Sequence, residues 1–161
     1  TQDSGIGGGR VIGEACHFID LCSFFSGSKV VEVCMNALGT DSQMNTDNAS
    51  ILLKYENGSN AVINYFSNGS KAYLKERIEV HQQNSSHIID NWRKLSGFGI
   101  SGFKSKKSKQ DKGHFNQFMH LLNSVEKANG PSIPWDEVLN TSKATLAAVD
   151  SLIQGKWISI K

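Results

Sequence analysis

The spacing of apolar and polar positions changes period along the chain. Over 14–25, Phe18, Leu21, Cys22 and Phe25 recur at the three-and-four spacing of a helical stripe. Gly27 follows just past the last turn, where a left-handed C-cap favours glycine. From residue 30 the period shortens to that of strands. β-Branched and apolar runs predict strands over 30–38, 49–55 and 61–66, and the last two flank Glu56-Asn57-Gly58-Ser59, an Asn-Gly hairpin signal. Ile78 and Val80 alternate with Glu79 and His81, predicting a strand over 77–81, and shorter strands are expected over 86–90 and 91–96. Residues 97–113 are poor in apolar side chains and carry Lys104, Lys106, Lys107, Lys109 and Lys112, the pattern of a mobile, solvated loop. Helical spacing then returns twice. One helix is expected over 114–128, with Phe115, Phe118, Met119, Leu122 and Val125 on its apolar face. The other runs over 135–154, with Val138, Leu139, Leu146, Val149, Leu152 and Ile153 as its expected buried positions and Gly155 as its cap. A short strand over 157–160 is expected to rejoin the sheet.

Strands segregated from helices in this order predict an α+β fold: an open, mainly antiparallel β-sheet with helices packed on one face. The central strands carry apolar residues at both parities, Leu52 with Leu53, Val62 with Ile63 and Tyr65 with Phe66. A sheet covered by helices on one face needs only one parity. The other set predicts a homodimer through the β-sheet, with Tyr55, Tyr65 or their strand neighbours near a two-fold axis.

Composition narrows the class. The 161 residues suit one domain, and 17 Lys and Arg against 15 Asp and Glu give a net charge of only +2. That balance offers no concentrated basic face, so no nucleic-acid partner is expected. No apolar run approaches the roughly 18 residues of a membrane span, so no membrane partner is expected either. Cys16, Cys22 and Cys34 form no CxxC pair. A disulfide framework or metal site is not expected, and a reducing, cytoplasmic location is. The histidines His81, His87, His114 and His120 have no zinc-ligand spacing. Five Asn-x-Ser sequons, at Asn48, Asn57, Asn68, Asn84 and Asn140, read as ordinary turn and surface positions.

Two stretches invite a chemical reading. Gly5 and Gly7 fit a GxGxxG dinucleotide fingerprint, but Arg10 takes the third glycine's place and no strand precedes it. A flexible loop is expected there, with no cofactor-binding residue in this chain. The second stretch is Glu14, His17 and Asp20, three apart along the first helix and off its apolar stripe. A histidine with an ordinary pKa near 6.5 suits proton transfer at neutral pH. An amphipathic helix whose polar face contains a histidine by chance has the same spacing. Cys16 next to His17 reads as a packing residue, since adjacent helical side chains point about 100° apart.

The stretch GGGRVIGEACHFIDL resembles the start of the C-terminal domain of the glucose–fructose oxidoreductase/inositol dehydrogenase (Gfo/Idh/MocA) family. LKYENGSNAVINYFSNG resembles that domain's central hairpin, and KERIEVHQQNSSHIIDN its sheet-edge strands. DKGHFNQFMHLLNSV and IPWDEVLNTSKATLAAVDSLIQGK resemble its two closing helices. The resemblance covers nearly the whole chain. It implies a single C-terminal substrate and oligomerisation domain over 1–161, with a dihydrodipicolinate-reductase-like fold, cut from a longer NAD- or NADP-dependent sugar or polyol dehydrogenase. The Rossmann domain that would bind the dinucleotide is expected outside this chain, so the chain alone is expected to be inactive. The family's catalytic set is a Lys from the Rossmann half with an Asp and a His four apart. His17 matches the His, whereas the Asp position falls on Gly13, with Glu14 one residue on as its candidate replacement. The resemblance implies His17 and Glu14 as catalytic, Arg10 and Asp20 as substrate-binding, and a sugar-like substrate. The alternative is a non-catalytic binding or assembly module of the same fold that lost its chemistry with the Asp.

Overall fold

Helical structure begins earlier than the apolar stripe predicts. In this computed structural model, which describes residues 9–39, 47–127 and 130–160, a π-helical turn over Val11–Ala15 leads directly into helix α1, Cys16–Ser26. Gly27 ends α1 in the left-handed region at φ 60°, its N–H donating to Ser23 O at 3.0 Å. Because the turn starts at Val11, the stripe that faces the core is Val11, Ala15 and Ile19, all fully buried. This corrects the predicted stripe. Phe18 and Cys22 flank the core, while Phe25 is partly open and Phe24 stands in solvent against it.

The chain divides into two compact units, Thr1–Asn68 with Ile133–Lys161, and Gly69–Ser132. In the first unit, strands β1 (Val30–Ala37), β2 (Asn48–Tyr55), β3 (Asn60–Phe66) and β8 (Ile158–Ser159) form an antiparallel sheet in the order β3-β2-β1-β8. The 157–160 segment thus rejoins the sheet as expected, beside β1. The β2–β3 hairpin turns at Gly58, whose φ of 85° is open to glycine and strained for other residues. Cross-strand partners Val33, Leu53 and Ala61, then Met35, Ile51 and Ile63, line up on one face. That face packs under α1 and helix α3, Trp135–Gln154.

The side of α3 that meets the sheet differs from the one predicted. Ala144, Thr145, Ala147, Ala148, Ser151 and Leu152 are buried, while Val138, Leu139, Leu146 and Ile153 are exposed. Small side chains let the helix lie close to the β1 backbone, close enough for side chain-to-backbone bonds. Ser151 Oγ accepts from Met35 N–H at 3.0 Å and donates to Lys156 O at 2.6 Å. Asn140 exchanges two bonds with Val30, accepting from its N–H at 2.9 Å and donating to its carbonyl at 3.0 Å. Asn140 is therefore a tie between α3 and the irregular start of β1, and its expected role as a plain surface residue is corrected.

The other face of this sheet also corrects an expectation. Tyr55 and Ile63 are buried beneath the helices, and Tyr65 shares their parity. The open face instead carries Leu52, Val62 and Phe66 among Ser50, Lys54, Asn60 and Asn64.

In the second unit, β4 (Arg77–Gln82), β5 (Ser85–Asp90), β6 (Lys94–Phe98) and β7 (Ser105–Lys107) form an antiparallel sheet in chain order. Residues 91–93, expected to start a strand, form the β5–β6 turn, with Asn91 at φ 48° and Trp92 at φ 56°. The lysine-rich segment 97–113, expected as one loop, contributes the end of β6 and all of β7. Cross-strand pairing sets Leu95 opposite Lys106, and a groove of about 150 Å³ brings Trp92 together with Lys94 and Lys106. Helix α2, His114–Lys127, closes the unit and buries none of its residues. The fold is α+β with antiparallel pairing throughout, as expected, but its strands fall into two sheets.

Candidate functional site

The π-helical turn and the edge strand β3 bring together what the sequence leaves apart. A π turn admits one more residue than an α turn and so re-aims the side chains it carries, which is why such turns recur at functional sites. Here Glu14 leaves the turn toward β3, and Tyr65 Oη donates to Glu14 Oε2 at 2.6 Å. Arg10, just before the turn, reaches the same phenol and stands 3.3 Å from Asp47 Oδ1 through Nε. The hydrogen bond with Tyr65, then the charges of Asp47 and Glu14, raise the Arg10 pKa. Tyr65 is raised too, first by burial and then by its bond to the Glu14 carboxylate, with Arg10 pulling the other way. The Phe18 ring lies against Tyr65, with centroids 6.5 Å apart.

His17 stands one turn further along, exposed on α1. Glu14 and His17 flank the junction of the π turn with α1, so a small molecule at that end of the helix meets an exposed imidazole and a carboxylate already bonded to a phenol. Asp20 is directed elsewhere. It accepts from Thr141 Oγ1 at 3.4 Å and ties α1 to α3, so the structure separates it from the Glu14 cluster, although the sequence set the two on one stripe. Burial raises the Cys16 thiol and pushes Cys22 up to about 11, which suits packing and opposes a thiolate nucleophile.

Tyr65 joins this cluster from a parity that the apolar sequence pattern alone puts on the open face. The signal was in the strand: Asn60 and Asn64 share the parity of Val62, so polar side chains mark that face as the open one and direct Ala61, Ile63 and Tyr65 inward. Asp47 had no signal, since only the packing of the strand entry brings it to Arg10. Gly5 and Gly7 lie outside the described residues. No group of three or more metal-ligating side chains gathers among the described residues, and no described helix is long and apolar enough to cross a membrane.

A helix entered through a π turn and packed with a second helix on one face of an antiparallel sheet makes an α+β layer fold. Residues 1–88 match the family model of the GFO/IDH/MocA C-terminal domain, and the chain belongs to that family. Comparison with curated proteins finds no match. Among solved structures, the chain is similar to a protein from Sinorhizobium meliloti 1021 provisionally identified as a myo-inositol dehydrogenase. The two share 22% identity at a TM-score of 0.74, over 96% of this chain and 51% of that one. An oxidoreductase domain protein from Kribbella flavida matches at 18% identity and a TM-score of 0.74, over 95% and 50% of the two chains. A levoglucosan dehydrogenase solved with NADH and levoglucosan matches at 14% identity and a TM-score of 0.77, over 94% and 50%. The chain spans about half the length of these structures.

Proposed function

We propose that this chain is the substrate-side C-terminal domain of an NAD- or NADP-dependent sugar or polyol dehydrogenase. The observation that carries the reading is the Glu14 carboxylate held by Tyr65 just ahead of α1, the helix that carries the exposed His17. In this reading His17 takes the proton of a substrate hydroxyl as that carbon is oxidised, and returns it in the reverse direction. Glu14 accepts a hydrogen bond from a neighbouring hydroxyl. Arg10, beside Tyr65, anchors the substrate's oxygen-rich side. Asp20 has no part in it, being engaged with Thr141. A polyol is the substrate class that these groups suit, because each of them recognises a hydroxyl.

The described strands pair only antiparallel and offer no strand–turn–helix crevice for a pyrophosphate. The dinucleotide is assigned to a domain outside these 161 residues. The assay uses the full-length natural protein with NAD or NADP and a panel that includes myo-inositol and levoglucosan, following the reduced nicotinamide. Turnover is expected, and His17→Ala should lower it by about 10²- to 10⁴-fold, the usual worth of a general acid or base. No turnover across the panel, or an unchanged rate in His17→Ala, overturns the reading. Gly13 at the family's Asp position favours the second reading, a binding or assembly module without catalysis, which predicts polyol binding with no turnover.

The open face of the first sheet belongs to the same proposal. Leu52, Val62 and Phe66 are 37%, 59% and 48% exposed, and they make an apolar strip that a second copy would cover. We assign to it a two-fold homodimer burying on the order of 1,200–2,000 Å² in total. Sedimentation of the full-length protein as a single monomeric species at tens of micromolar would overturn the assignment.

A further inference from the structure

We infer that Tyr65 is a positioning residue that holds Glu14 as the working carboxylate of the site. The inference rests on the reading of Glu14 given under the proposed function and deepens it. Gly13 leaves the family's carboxylate position empty, and a side chain one residue further along an α-helix would point about 100° away. Two features compensate for that displacement. The π turn changes the phase of the helix at Glu14 itself, and β3 provides a fixed donor, Tyr65 Oη, at 2.6 Å from Glu14 Oε2. That contact ties residues 51 positions apart, so it belongs to the tertiary fold rather than to the helix. Tyr65 is itself held: its ring packs on Phe18, its neighbour Ile63 is buried, and its backbone position pairs with Ala49. Arg10, paired with Asp47, bears on the phenol as a nearby cation. The phenol proton is directed to Glu14. With Oε2 occupied, Oε1 is the atom left to accept from a substrate hydroxyl.

The test uses the full-length protein labelled with ¹³Cζ-tyrosine. Tyr65 is assigned by the resonance lost in Tyr65→Phe, and its ionisation is followed by NMR. Three charged groups bear on it: Glu14 and Arg10 directly, and Asp47 through its pairing with Arg10. Tyr65 is expected to ionise above the ordinary tyrosine range, and Glu14→Gln should lower its midpoint, because the carboxylate charge that opposes a phenolate is gone. A midpoint unchanged by Glu14→Gln overturns the inference. A second arm uses myo-inositol as the probe. Tyr65→Phe keeps the ring and the fold, and is expected to lower kcat about tenfold with KM within about twofold, the scale of one charge-assisted hydrogen bond. In a Glu14→Gln background the same change should cost nothing further, whereas an additive loss overturns a role exerted through Glu14. Failure of myo-inositol to turn over bears on the proposed function alone, and the titration then decides the role of Tyr65.

Discussion

In the sheet β3-β2-β1-β8, Val33, Ile51 and Leu53 are almost completely shut off from water. In the sheet β4-β5-β6-β7, among the described residues, only Ser96 and Gly97 are buried, and the apolar positions Ile78, Val80, Ile88 and Ile89 are half-covered. Both sheets have four antiparallel strands. The difference is the cover that each has within its own unit. Two helices with small or β-facing side chains close over the first sheet, whereas α2 buries none of its residues. Alternation makes a strand, but only a facing layer turns it into a core. The cluster of Arg10, Glu14 and Tyr65 accordingly sits on the well-packed sheet, beside the buried Ile63 and the Phe18 ring.

Substitutions in the full-length protein probe that contrast. Leu53→Ala should cost about 2–5 kcal/mol in urea unfolding, because it opens a cavity under both helices. Ile89→Ala in the second sheet should cost clearly less, since its side chain is already half-exposed; equal costs would remove the distinction. Ser151→Ala should cost about 1–3 kcal/mol, because it strands the buried Met35 N–H that bonds Ser151 Oγ. A loss below a few tenths would mean that the helix-to-strand tie contributes little. Val62→Lys should leave the unfolding midpoint nearly unchanged while shifting the sedimentation profile toward monomer. Ile63→Lys, one residue on, should unfold the domain by burying a charge.

The smallest effect concerns the surface charges of the second sheet. Arg77 bridges Glu79 at 2.7 Å and Asp90 at 3.0 Å, and the hydrogen bond from Arg77 is the main cause that lowers the Glu79 pKa. A carboxylate with a lowered folded-state pKa adds stability that is present above its unfolded value and is lost as pH falls through the folded one. The contribution of Glu79 should therefore fade only below the ordinary glutamate range, and added salt should weaken it at neutral pH. Glu79→Gln should flatten the acid limb of the stability profile slightly. A large change there would mean that the pair is less solvent-screened than its exposure indicates.

The first helix differs from its expected stripe because helical structure starts upstream of the apolar run. The expected stripe begins at Phe18 inside α1, whereas the buried one begins at Val11 in the π turn and continues through Ala15 and Ile19. Which of the apolar side chains in α1 is buried is decided by the sheet and helix that it packs against. The error on α3 has another cause. Hydrophobicity ranks Leu139, Leu146 and Ile153 above Ala144, Ala147 and Ala148, but close approach to β1 selects for small side chains, and that requirement is set by the strand facing the helix. His17 stands out in the sequence as a candidate because a histidine among polar helical positions is distinctive by itself. The contact of Tyr65 with Glu14 does not, because a tyrosine in a strand with apolar residues at both parities has two faces open to it.

The sequence by itself determined the α+β class, the antiparallel strands, the hairpin at Asn57-Gly58, the Gly27 and Gly155 helix ends, and His17 as a candidate acid or base. Each depends on local spacing or on the conformational freedom of one residue. Only the tertiary structure decided the division into two sheets, the face of α3 that is buried, the diversion of Asp20 to Thr141, and the meeting of Arg10 and Glu14 with Tyr65. Those outcomes depend on contacts between residues far apart in the chain. Local periodicity says which side chains share a face, and only packing says what that face meets.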